Sequence, residues 1–286
     1  MGEGPAEELY AAGAHPTIVV PNADATIEHP AVLKNLELLD RDGCRIFWPT
    51  SGAEPWAGEI AATVFKELGG PLQGMRILVT AGGTREPVDS VRFVGNRSSG
   101  KMGLAIARQA LIMGAEVSVV AANVEAREPG VDWVSVETVD ELREAVVGLA
   151  GESDALIMAA AVSDFKPTTA LKEKVRRREG LSVEFVATED VLKSVREQNP
   201  GLFMVGFAAT HGDPVPDARE KLGSKGVNLV VGNDISQKGI GFGVDENEVH
   251  VVGPDGERFV PRASKQEVAR VILDELETEI KKERQR

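Results

Sequence analysis

The stretch "DALIMAAAV", residues 154–162, is apolar over nearly its whole length. A strand of this kind has no polar face to turn toward water, so only a sheet covered by helices on both faces would bury it. Four other stretches have a similar pattern: "MRILVTA" (75–81), "AEVSVVAA" (115–122), "LFMVGFAA" (202–209) and "VNLVVGN" (227–233). The sequence therefore predicts several buried strands in one sheet.

Segments with helical spacing of apolar residues separate these strands, at 100–114, 140–150, 189–198 and 217–226. This alternation predicts an α/β fold, namely a doubly wound (Rossmann-like), mostly parallel sheet with helices on both faces. "EVHVVGPDGERFVP" (248–261) predicts a small β-hairpin near the C-terminus, with Asp-Gly at its turn. The final segment, 264–286, is typical of a helix capped by Ser264.

The region before Met75 predicts a second, smaller domain. Strand patterns occur at 17–21 and 44–49, and helical patterns occur at 30–43 and 59–69. The turn-rich "GGPLQG" (69–74) then interrupts the pattern, as a domain boundary does. We therefore expect two domains, residues 1–72 and residues 75–286.

The chain has 286 residues, of which 42% are apolar, and its formal net charge is −13. The acidic balance argues against a nucleic-acid partner or an anionic membrane surface, because both require a basic footprint. It does not exclude a local basic pocket for a small anionic ligand. No apolar run approaches the roughly 20 residues of a membrane span, and the N-terminus lacks the features of a signal peptide. We therefore expect a cytoplasmic protein.

Cysteine and histidine give no indication of a metal site. The one cysteine, Cys44, excludes an intrachain disulfide and a cysteine-based zinc cage. A small buried hydrophobic residue is its simplest interpretation. The four histidines are dispersed along the chain, so their spacing identifies no metal ligand.

The stretch "GNRSSGKMG" (95–103) has the glycine and lysine spacing of a phosphate-binding P-loop. Met102, however, occupies the position where a P-loop needs Ser or Thr to ligate Mg²⁺, and the nearest strong strand ends well upstream. We interpret the stretch as a different anion-binding turn at a helix N-terminus, where Ser98, Ser99 and Gly100 would offer hydroxyl and N–H groups to a phosphate. The alternative is that Ser98 or Ser99 only caps the helix.

The same loop begins with Gly82 and Gly83, which would let the backbone approach a ligand closely. Ligands of doubly wound sheets bind beyond the carboxyl ends of the strands. Connections as long as this one are usually functional, and a helix cap alone would not explain the length. The loop is therefore the first candidate for a binding site.

A second candidate loop, "SDFKPTTALKEKVRRREG" (163–180), follows the most apolar strand. Asp164 lies just past the strand end, where its carboxylate could accept from a base or a ribose, or bind a metal. Lys174, Arg176 and Arg177 concentrate positive charge in an otherwise acidic chain. The alternative is a solvated basic turn without a ligand.

A third candidate loop follows Phe207, and the helix behind it carries Lys221 and Lys225 on one face. Taken alone, Phe207 suits the core and the lysine pair suits a solvated helix face. Together, however, the three loops bring several cations and glycines to one edge of the sheet. That arrangement suits a polyanionic substrate such as a nucleoside triphosphate.

Six segments in a fixed order carry a resemblance to a known family. They are "VTAGGTREPVDSVRFVGNRSSGKMG", "AAAVSDFKP", "EKVRRREG", "VGFAAT", "AREKLGSKG" and "GNDI". As a set they closely resemble phosphopantothenate–cysteine ligase, the ligase half of the bifunctional bacterial coenzyme A biosynthesis protein. The resemblance runs from Met75 to about Leu276. Each motif alone would be weak, but their order makes the set specific.

The resemblance implies an activity in coenzyme A biosynthesis. CTP would activate the carboxylate of 4′-phosphopantothenate, giving an acyl-cytidylate and pyrophosphate. The amine of L-cysteine would then attack, giving 4′-phosphopantothenoylcysteine and CMP. The family also implies Mg²⁺ and a homodimer. The choice of CTP over ATP is implied by the resemblance alone.

The resemblance also implies roles for individual residues. Asn96 and Arg92 would handle the acyl intermediate and its phosphopantothenate, and Lys174 would face the triphosphate, so these three form the catalytic set. The nucleotide-binding set joins the residues implied by the family to the glycines and serines of the first loop: Gly82, Gly83, Ser98, Ser99, Gly100, Met158, Ala159, Ala160, Asp164, Lys174, Glu189, Asp190, Val191, Leu192, Phe207, Lys221 and Lys225.

Two positions depart from the family pattern. Its Lys-Ile-Lys-Lys motif is Lys174-Val175-Arg176-Arg177 here, which keeps the charge but changes the geometry offered to a phosphate. The acidic residue that usually follows Gly-Phe-Ala-Ala is Thr210. Both departures leave the reaction possible and affect the details of nucleotide contact.

The first part of the chain resembles the end of the flavin-dependent decarboxylase to which this ligase is usually fused. "PNADATIEHPAVLKNLELLDRDG" (21–43) keeps the family's His-Pro, but its Met-Asn pair is absent. "GAEPWAGEI" (52–60) stands where the family has its catalytic Ala-Cys-Gly. We therefore expect residues 1–72 to be a degenerate remnant that binds no flavin. It would dock on the ligase or on a separate decarboxylase through the apolar side of helix 30–41. The alternative, that the sequence is a cut piece, would not explain the lost residues.

Two other functions stay open from the residues alone. One is a nucleotide-dependent oxidoreductase, against which the first loop's lack of G-x-G-x-x-G argues. The other is a non-catalytic relative that binds a nucleotide or partners a separate decarboxylase. The presence of Asn96 and Lys174 argues against loss of the ligase activity.

Overall fold

A computed structural model describes residues 17–21, 29–47, 60, 63–65, 69–175, 181–237, 239–241 and 243–285. The chain divides into two compact units, Met1–Gly70 and Pro71–Arg286. Each unit is built from the patterns that the sequence predicts, with the differences given below.

In the part of the smaller unit that the structure describes, the named elements are β1 (Ile18–Val19), α1 (Pro30–Arg41) and β2 (Arg45–Ile46). The two strands pair in parallel. Leu36 on the helix and Cys44 before β2 are buried, while Leu33 is 39% exposed. The helix predicted over 59–69 lies largely outside the described residues, but the described positions 60 and 63–65 are helical.

The larger unit begins with a turn and continues through twelve strands and five helices within the described residues. The strands are β3 (Arg76–Gly82), β4 (Arg85–Pro87), β5 (Phe93–Gly95), β6 (Glu116–Ala122), β7 (Asp132–Val136), β8 (Ala155–Met158), β9 (Phe165–Pro167), β10 (Phe185–Ala187), β11 (Phe203–Thr210), β12 (Leu229–Asp234), β13 (Glu246–Gly253) and β14 (Gly256–Ser264). The helices are α2 (Lys101–Ile112), α3 (Val139–Ala150), α4 (Val191–Gln198), α5 (Val215–Lys225) and α6 (Lys265–Gln285).

Eight of the strands form one sheet, in the order β7-β6-β3-β8-β11-β12-β13-β14. The first six are parallel, and β13 and β14 are antiparallel to their neighbours. The chain winds from β3 outward to β7, and then returns to β8 on the other side of β3. The prediction of a doubly wound, mostly parallel sheet is confirmed, and β3 and β8 flank its topological switch point.

Helices cover the sheet on both faces because successive side chains of each strand point in opposite directions. Ile77 and Val79 on β3 lie in the same apolar cluster as residues of α2 and α6, such as Ile106 and Leu273. Leu78 lies in the opposite cluster, with residues of α3, α4 and α5. Full burial of each such side chain contributes about 1.5–3 kcal/mol. The strands are therefore held between two separate layers of helix.

The hairpin predicted near the C-terminus is β13–β14, and Gly253 pairs with Gly256 across its turn. The helix that follows begins with a capping box. The Ser264 hydroxyl oxygen accepts a hydrogen bond from the Glu267 N–H at 3.2 Å, and the Glu267 carboxylate accepts one from the Ser264 N–H at 2.9 Å. Among the described residues, no helix is both long and apolar enough to cross a membrane.

The turn before β3 belongs to the larger unit. Leu72 is fully buried in the cluster that contains Ile77, and its N–H donates to the carbonyl of Met113 at 3.0 Å. The larger unit therefore begins at Pro71 rather than at Met75.

Three features of the sheet architecture were absent from the sequence prediction. The edge strand β7 is one, and the two-stranded sheets β4–β5 and β9–β10 are the others. The first two candidate loops are thus not irregular throughout, because the first contains both β4 and β5 and the second contains β9, whose partner β10 follows it in the chain. These arms carry residues of the loops away from the main sheet.

We predict that Gly103→Ala destabilises the larger unit and that Gly148→Ala does not, although both glycines lie inside helices. A Cβ at Gly103 would lie 2.6 Å from the Ala81 Cβ and 2.7 Å from the Thr80 carbonyl oxygen, so α2 would have to move away from β3. A Cβ at Gly148 would meet nothing within 4 Å. Urea unfolding should show a loss of about 1–3 kcal/mol for the first variant. It should show a gain of up to about 1 kcal/mol for the second. Equal changes in both would contradict the close approach of α2 to β3.

Candidate functional site

A cavity of about 540 Å³ opens at the carboxyl ends of the parallel strands, beside the switch point between β3 and β8. Its walls come from all three candidate loops, from the segment after β12, from the start of β13 and from the start of α6. Of the residues named from the sequence, the following line it: Asn96, Ser98, Ser99, Gly100, Met158, Ala159, Ala160, Asp164, Glu189, Asp190, Val191, Leu192, Phe207, Lys221 and Lys225. The four that do not line it are Gly82, Gly83, Arg92 and Lys174.

Gly82 and Gly100 bring the end of β3 against the start of α2. Both have a positive φ, +88° and +80°. A Cβ at Gly82 would lie 1.9 Å from the Ala122 carbonyl oxygen, and one at Gly100 would lie 2.7 Å from Val124 Cγ2. Neither position therefore has room for a side chain, and Gly100 itself lines the cavity.

The N-terminus of α2 faces the cavity without a side-chain cap. Gly100 is the N-cap residue, and within the described residues no side-chain cap accepts from the backbone N–H groups of the first turn. Ser98 Oγ accepts only a long bond from the Gly100 N–H, at 3.4 Å. Because the first-turn N–H groups of a helix need acceptors, this end of α2 is suited to an anion.

Hydrogen bonds between loops fix the floor of the cavity. The buried Thr84 hydroxyl accepts from the Ser163 N–H at 2.9 Å and donates to the Ser163 hydroxyl at 3.0 Å. Thr188 Oγ1 donates to the Ser163 carbonyl at 2.7 Å. The Asn96 side-chain amide donates to the Ala161 carbonyl at 3.0 Å. Residues from the loops after β3, β8 and β10 are thereby joined.

The opposite wall carries a pair of lysines. Lys221 donates to the Phe207 carbonyl, and burial lowers the pKa of its ammonium, as does the nearby charge of Lys225. Lys225 pairs with Asp190, which caps α4 by accepting from the Lys193 N–H at 3.1 Å. Burial opposes ionisation of the Asp190 carboxyl, but Lys225 and the Lys193 N–H outweigh it and lower its pKa. The cavity thus holds concentrated positive charge in an acidic protein.

Comparison with known proteins places this geometry in a family. The family model of the DNA/pantothenate metabolism flavoprotein C-terminal domain matches residues 72–280. The chain belongs to this family. It is 36% identical to the coenzyme A biosynthesis bifunctional protein CoaBC of Bacillus subtilis over 267 residues, which cover 87% of this chain and 66% of that relative. It is 37% identical to the protein of the same name from Thermococcus kodakarensis over 274 residues, covering 92% and 67%.

The chain therefore spans about two thirds of the length of these curated relatives. Among solved structures, the C-terminal domain of CoaBC matches with a TM-score of 0.64 and 36% identity, over 74% of this chain and 99% of that domain. These matches confirm the resemblance of the motifs between Met75 and Leu276 to the ligase half of the bifunctional protein.

Six further polar residues that were not assigned a role from the sequence line the cavity: Lys101, Ser163, Thr188, Asn233, Asn247 and Lys265. Lys265 is only 7% exposed, and its ammonium donates to the carbonyls of Gly241 at 2.9 Å and Val244 at 2.5 Å. Burial lowers its pKa, and the charge of Lys101 adds to the effect. Asn233 lies in "GNDI", at the end of a parallel strand. Its position alone could have marked it as a candidate.

Arg92 and Lys174 lie together, away from the cavity lining. Arg92 Nη2 donates to the Val175 carbonyl at 3.1 Å, and Lys174 is exposed beside it. Arg176 and Arg177 lie outside the described residues, so the rest of the basic cluster has no structural account. Two of the three predicted catalytic residues, Arg92 and Lys174, therefore share one surface that is separate from the cavity lining.

The acidic groups around the cavity do not form a metal cage. Within the described part of the chain, no group of three or more His, Cys, Asp or Glu side chains is placed to hold a metal ion. Glu189 pairs with Arg143 at 3.2 Å, and Asp190 pairs with Lys225. Asp164 lies on the lining without an ion-pair partner among the described residues.

We predict that the affinity of the cavity for an anion falls at alkaline pH, because Lys221 loses its positive charge. Because its pKa is lowered, it loses its charge at a lower pH than an ordinary lysine. Arginine keeps its charge over the same range. Isothermal titration with inorganic pyrophosphate from neutral to alkaline pH should therefore show the affinity of the wild type falling by roughly tenfold relative to Lys221→Arg. The same pH dependence in both proteins would contradict a role for Lys221 in binding the anion.

Proposed function

We propose that this chain is a phosphopantothenate–cysteine ligase of coenzyme A biosynthesis that uses CTP. What carries the proposal is the convergence on one cavity of the loops whose motifs resemble that ligase. The relatives named for coenzyme A biosynthesis support the pathway. The lysine pair Lys221 and Lys225 and the uncapped N-terminus of α2 support a polyphosphate substrate.

The chemistry of ligation explains why such a cavity would be cationic. A carboxylate is a poor electrophile, so it is first joined to a nucleotide, with pyrophosphate as the leaving group. Negative charge then develops on the triphosphate, and cations and helix N–H groups in a pocket sheltered from water stabilise it. Lys221, Lys225 and the first turn of α2 would serve this purpose. Loss of pyrophosphate would leave the acyl-cytidylate for the amine of L-cysteine to attack.

Asn96 is the side chain that we assign to the acyl group. It lies on the cavity lining between the start of α2 and the segment after β8, and its amide already donates to the Ala161 carbonyl. In this position the amide can bind the carbonyl oxygen of the acyl intermediate and hold it in line for attack. Arg92 and Lys174 would act from the adjacent surface on the phosphates of the substrates.

Mg²⁺ fits the donor set as a metal that arrives with the nucleotide. Mg²⁺ usually retains waters and is bound by one or two carboxylates together with substrate phosphates. Asp164 is the lining carboxylate that lacks an ion-pair partner among the described residues, so it would be the protein ligand. The metal would neutralise part of the triphosphate charge, while the lysines orient the chain of phosphates.

We predict that the protein releases pyrophosphate when phosphopantothenate and CTP are supplied, and that L-cysteine then yields phosphopantothenoylcysteine and CMP. An enzyme-coupled pyrophosphate assay with each of the four nucleoside triphosphates measures this and the nucleotide preference. Release with none of them would contradict the ligase and favour a non-catalytic nucleotide-binding relative. Turnover of a nicotinamide cofactor instead would favour an oxidoreductase.

The variant Asn96→Ala tests the role of this amide in the same pyrophosphate assay. It should lower the rate by about 10²–10³-fold, the usual loss for one donor to a reacting oxygen. Asn96 is exposed on a loop, so the melting temperature of the Asn96→Ala variant should stay close to that of the wild type. A variant that loses its cooperative unfolding would show instead that Asn96 is structural.

We also propose that the protein is a homodimer that pairs through the arms β4–β5 and β9–β10. These arms expose several large apolar side chains, among them Phe93 at 51%, Phe165 at 59% and Phe185 at 41%. β4 lies against β9, so the two arms that carry these side chains are neighbours. An apolar patch of this kind is typical of an association surface, and a second copy would supply a self-complementary partner.

We predict that Phe93→Asp shifts the protein toward the monomer, because it places a carboxylate on the apolar surface of the arms. Phe259→Asp is the matched control, since Phe259 has the same exposure of 51% but lies on β14. Sedimentation equilibrium at several concentrations separates the two. A wild type that is monomeric, or a control that dissociates as readily, would contradict the proposed surface.

We propose that the smaller unit is related to the decarboxylase half of the bifunctional relatives. The match to the Thermococcus kodakarensis relative covers 92% of this chain, more than the larger unit alone, so it includes part of the smaller unit. The absence of the family's Ala-Cys-Gly motif supports loss of the decarboxylase activity. A stoichiometric flavin absorbance band in the purified protein would contradict this assignment.

A further inference from the structure

Asp89 is a buried carboxylate in the loop between β4 and β5. Its side chain is fully buried, and all of its interactions are with backbone N–H groups or with Arg92. Oδ1 accepts from the N–H groups of Val91 and Arg92, both at 2.8 Å. Oδ2 accepts from the N–H of Val175 at 3.2 Å and lies 3.2 Å from Arg92 Nη1. The carboxylate therefore uses its two oxygens in two different directions.

The first oxygen accounts for the local turn, and the second reaches another loop. A turn of this kind needs only the two nearby N–H groups that Oδ1 accepts. The bond from Oδ2 to Val175 joins residues far apart in the chain, so the turn does not explain it. Arg92 completes the link, because its Nη2 donates to the carbonyl of the same residue, Val175. The backbone of Val175 is thus held at both its N–H and its C=O.

A third contact extends the link along the second loop. The N–H of Leu171 donates to the Val88 carbonyl at 3.0 Å. The segment from Leu171 to Val175 is therefore bound to the loop that carries Asp89. Lys174 lies within this segment, and its own side chain is exposed. Its position depends on the backbone contacts of its neighbours.

The charge on Asp89 is suited to this task. Burial opposes its ionisation, but three backbone N–H groups and the Arg92 guanidinium outweigh that effect, and its pKa lies below the ordinary value. A buried carboxylate is costly unless its lone pairs are satisfied. Here they are satisfied only when both loops are in place, so the carboxylate favours the joined arrangement.

We infer that Asp89 is a positioning residue that holds Lys174 beside Arg92. This inference rests on the proposed function where it assigns Lys174 to the triphosphate, whereas the link between the two loops stands on the contacts alone. Asp89 itself faces the two loops and takes no part in the reaction. Its effect on turnover passes through Lys174.

A double-mutant cycle tests that path of action. Asp89→Asn keeps the volume but places an amide N–H₂ against the Val175 N–H and the guanidinium of Arg92. It should lower pyrophosphate release by about ten- to a hundredfold, and Lys174→Gln by at least as much. Residues that act as a unit are not additive, so the double variant should equal Lys174→Gln within about threefold. Losses that multiply would overturn the inference.

Two controls separate positioning from general damage. Asp132→Asn changes an exposed aspartate on the edge strand β7 and should leave the rate unchanged. If Asp89→Asn does not fold, Val175→Pro replaces it, because proline has no N–H to donate to Asp89. Val175→Ala keeps that N–H and should retain the wild-type rate. Equal rates in the proline and alanine variants would overturn the inference.

Hydrogen exchange provides a measurement that does not depend on turnover. The Val175 amide should exchange at least tenfold faster in Asp89→Asn than in the wild type. Unchanged exchange would overturn the inference even if the rate falls. If the wild type releases no pyrophosphate, the proposed function fails by itself, and the exchange comparison still decides whether Asp89 joins the loops.

Discussion

The buried hydroxyl of Thr80, on β3, accepts a hydrogen bond from the N–H of Ala160 at 3.0 Å, just past the end of β8. This contact lies at the point where the winding of the sheet reverses. It joins the carboxyl ends of β3 and β8, two strands that are far apart in the chain. The loops that follow these strands must then diverge around a common space. The cavity, the open end of α2 and the placement of Asn96 all follow from that pairing.

The lysines of this cavity are held by partners from the chain itself. The chain has an excess of acidic residues, yet Lys221, Lys225 and Lys265 line one pocket. Backbone carbonyls and Asp190 compensate these ammonium groups, so the pocket is stable with its lysines already in place. An anionic ligand would add to or replace these partners with little reorganisation. The groups that hold the lysines in place would therefore also preorganise the site for such a ligand.

Much of the sheet could be predicted because the buried strands are apolar throughout, as residues 154–162 illustrate. The edge strand Asp132–Val136 was missed because one of its sides is partly open to water and its sequence lacks a strong pattern. The arms β4–β5 and β9–β10 depend on pairing within long polar loops. The hairpin β13–β14 was predicted from its turn, but its sequence does not indicate which edge of the sheet it joins, and Lys265 reaches the cavity through that placement. The family resemblance supplied the remaining site residues, but it could not place Lys174 off the cavity lining.

The central claim is that this cavity joins a carboxylate to a nucleotide before the amine attacks. Phosphopantothenate labelled with ¹⁸O in its carboxylate tests it directly, in a reaction with CTP and L-cysteine. The account predicts that CMP acquires one ¹⁸O atom, detected by mass spectrometry, because the bond to the acyl carbon breaks when the amine attacks. Label in inorganic phosphate, with CDP as the nucleotide product, would contradict it, as would product formation with no label in the nucleotide.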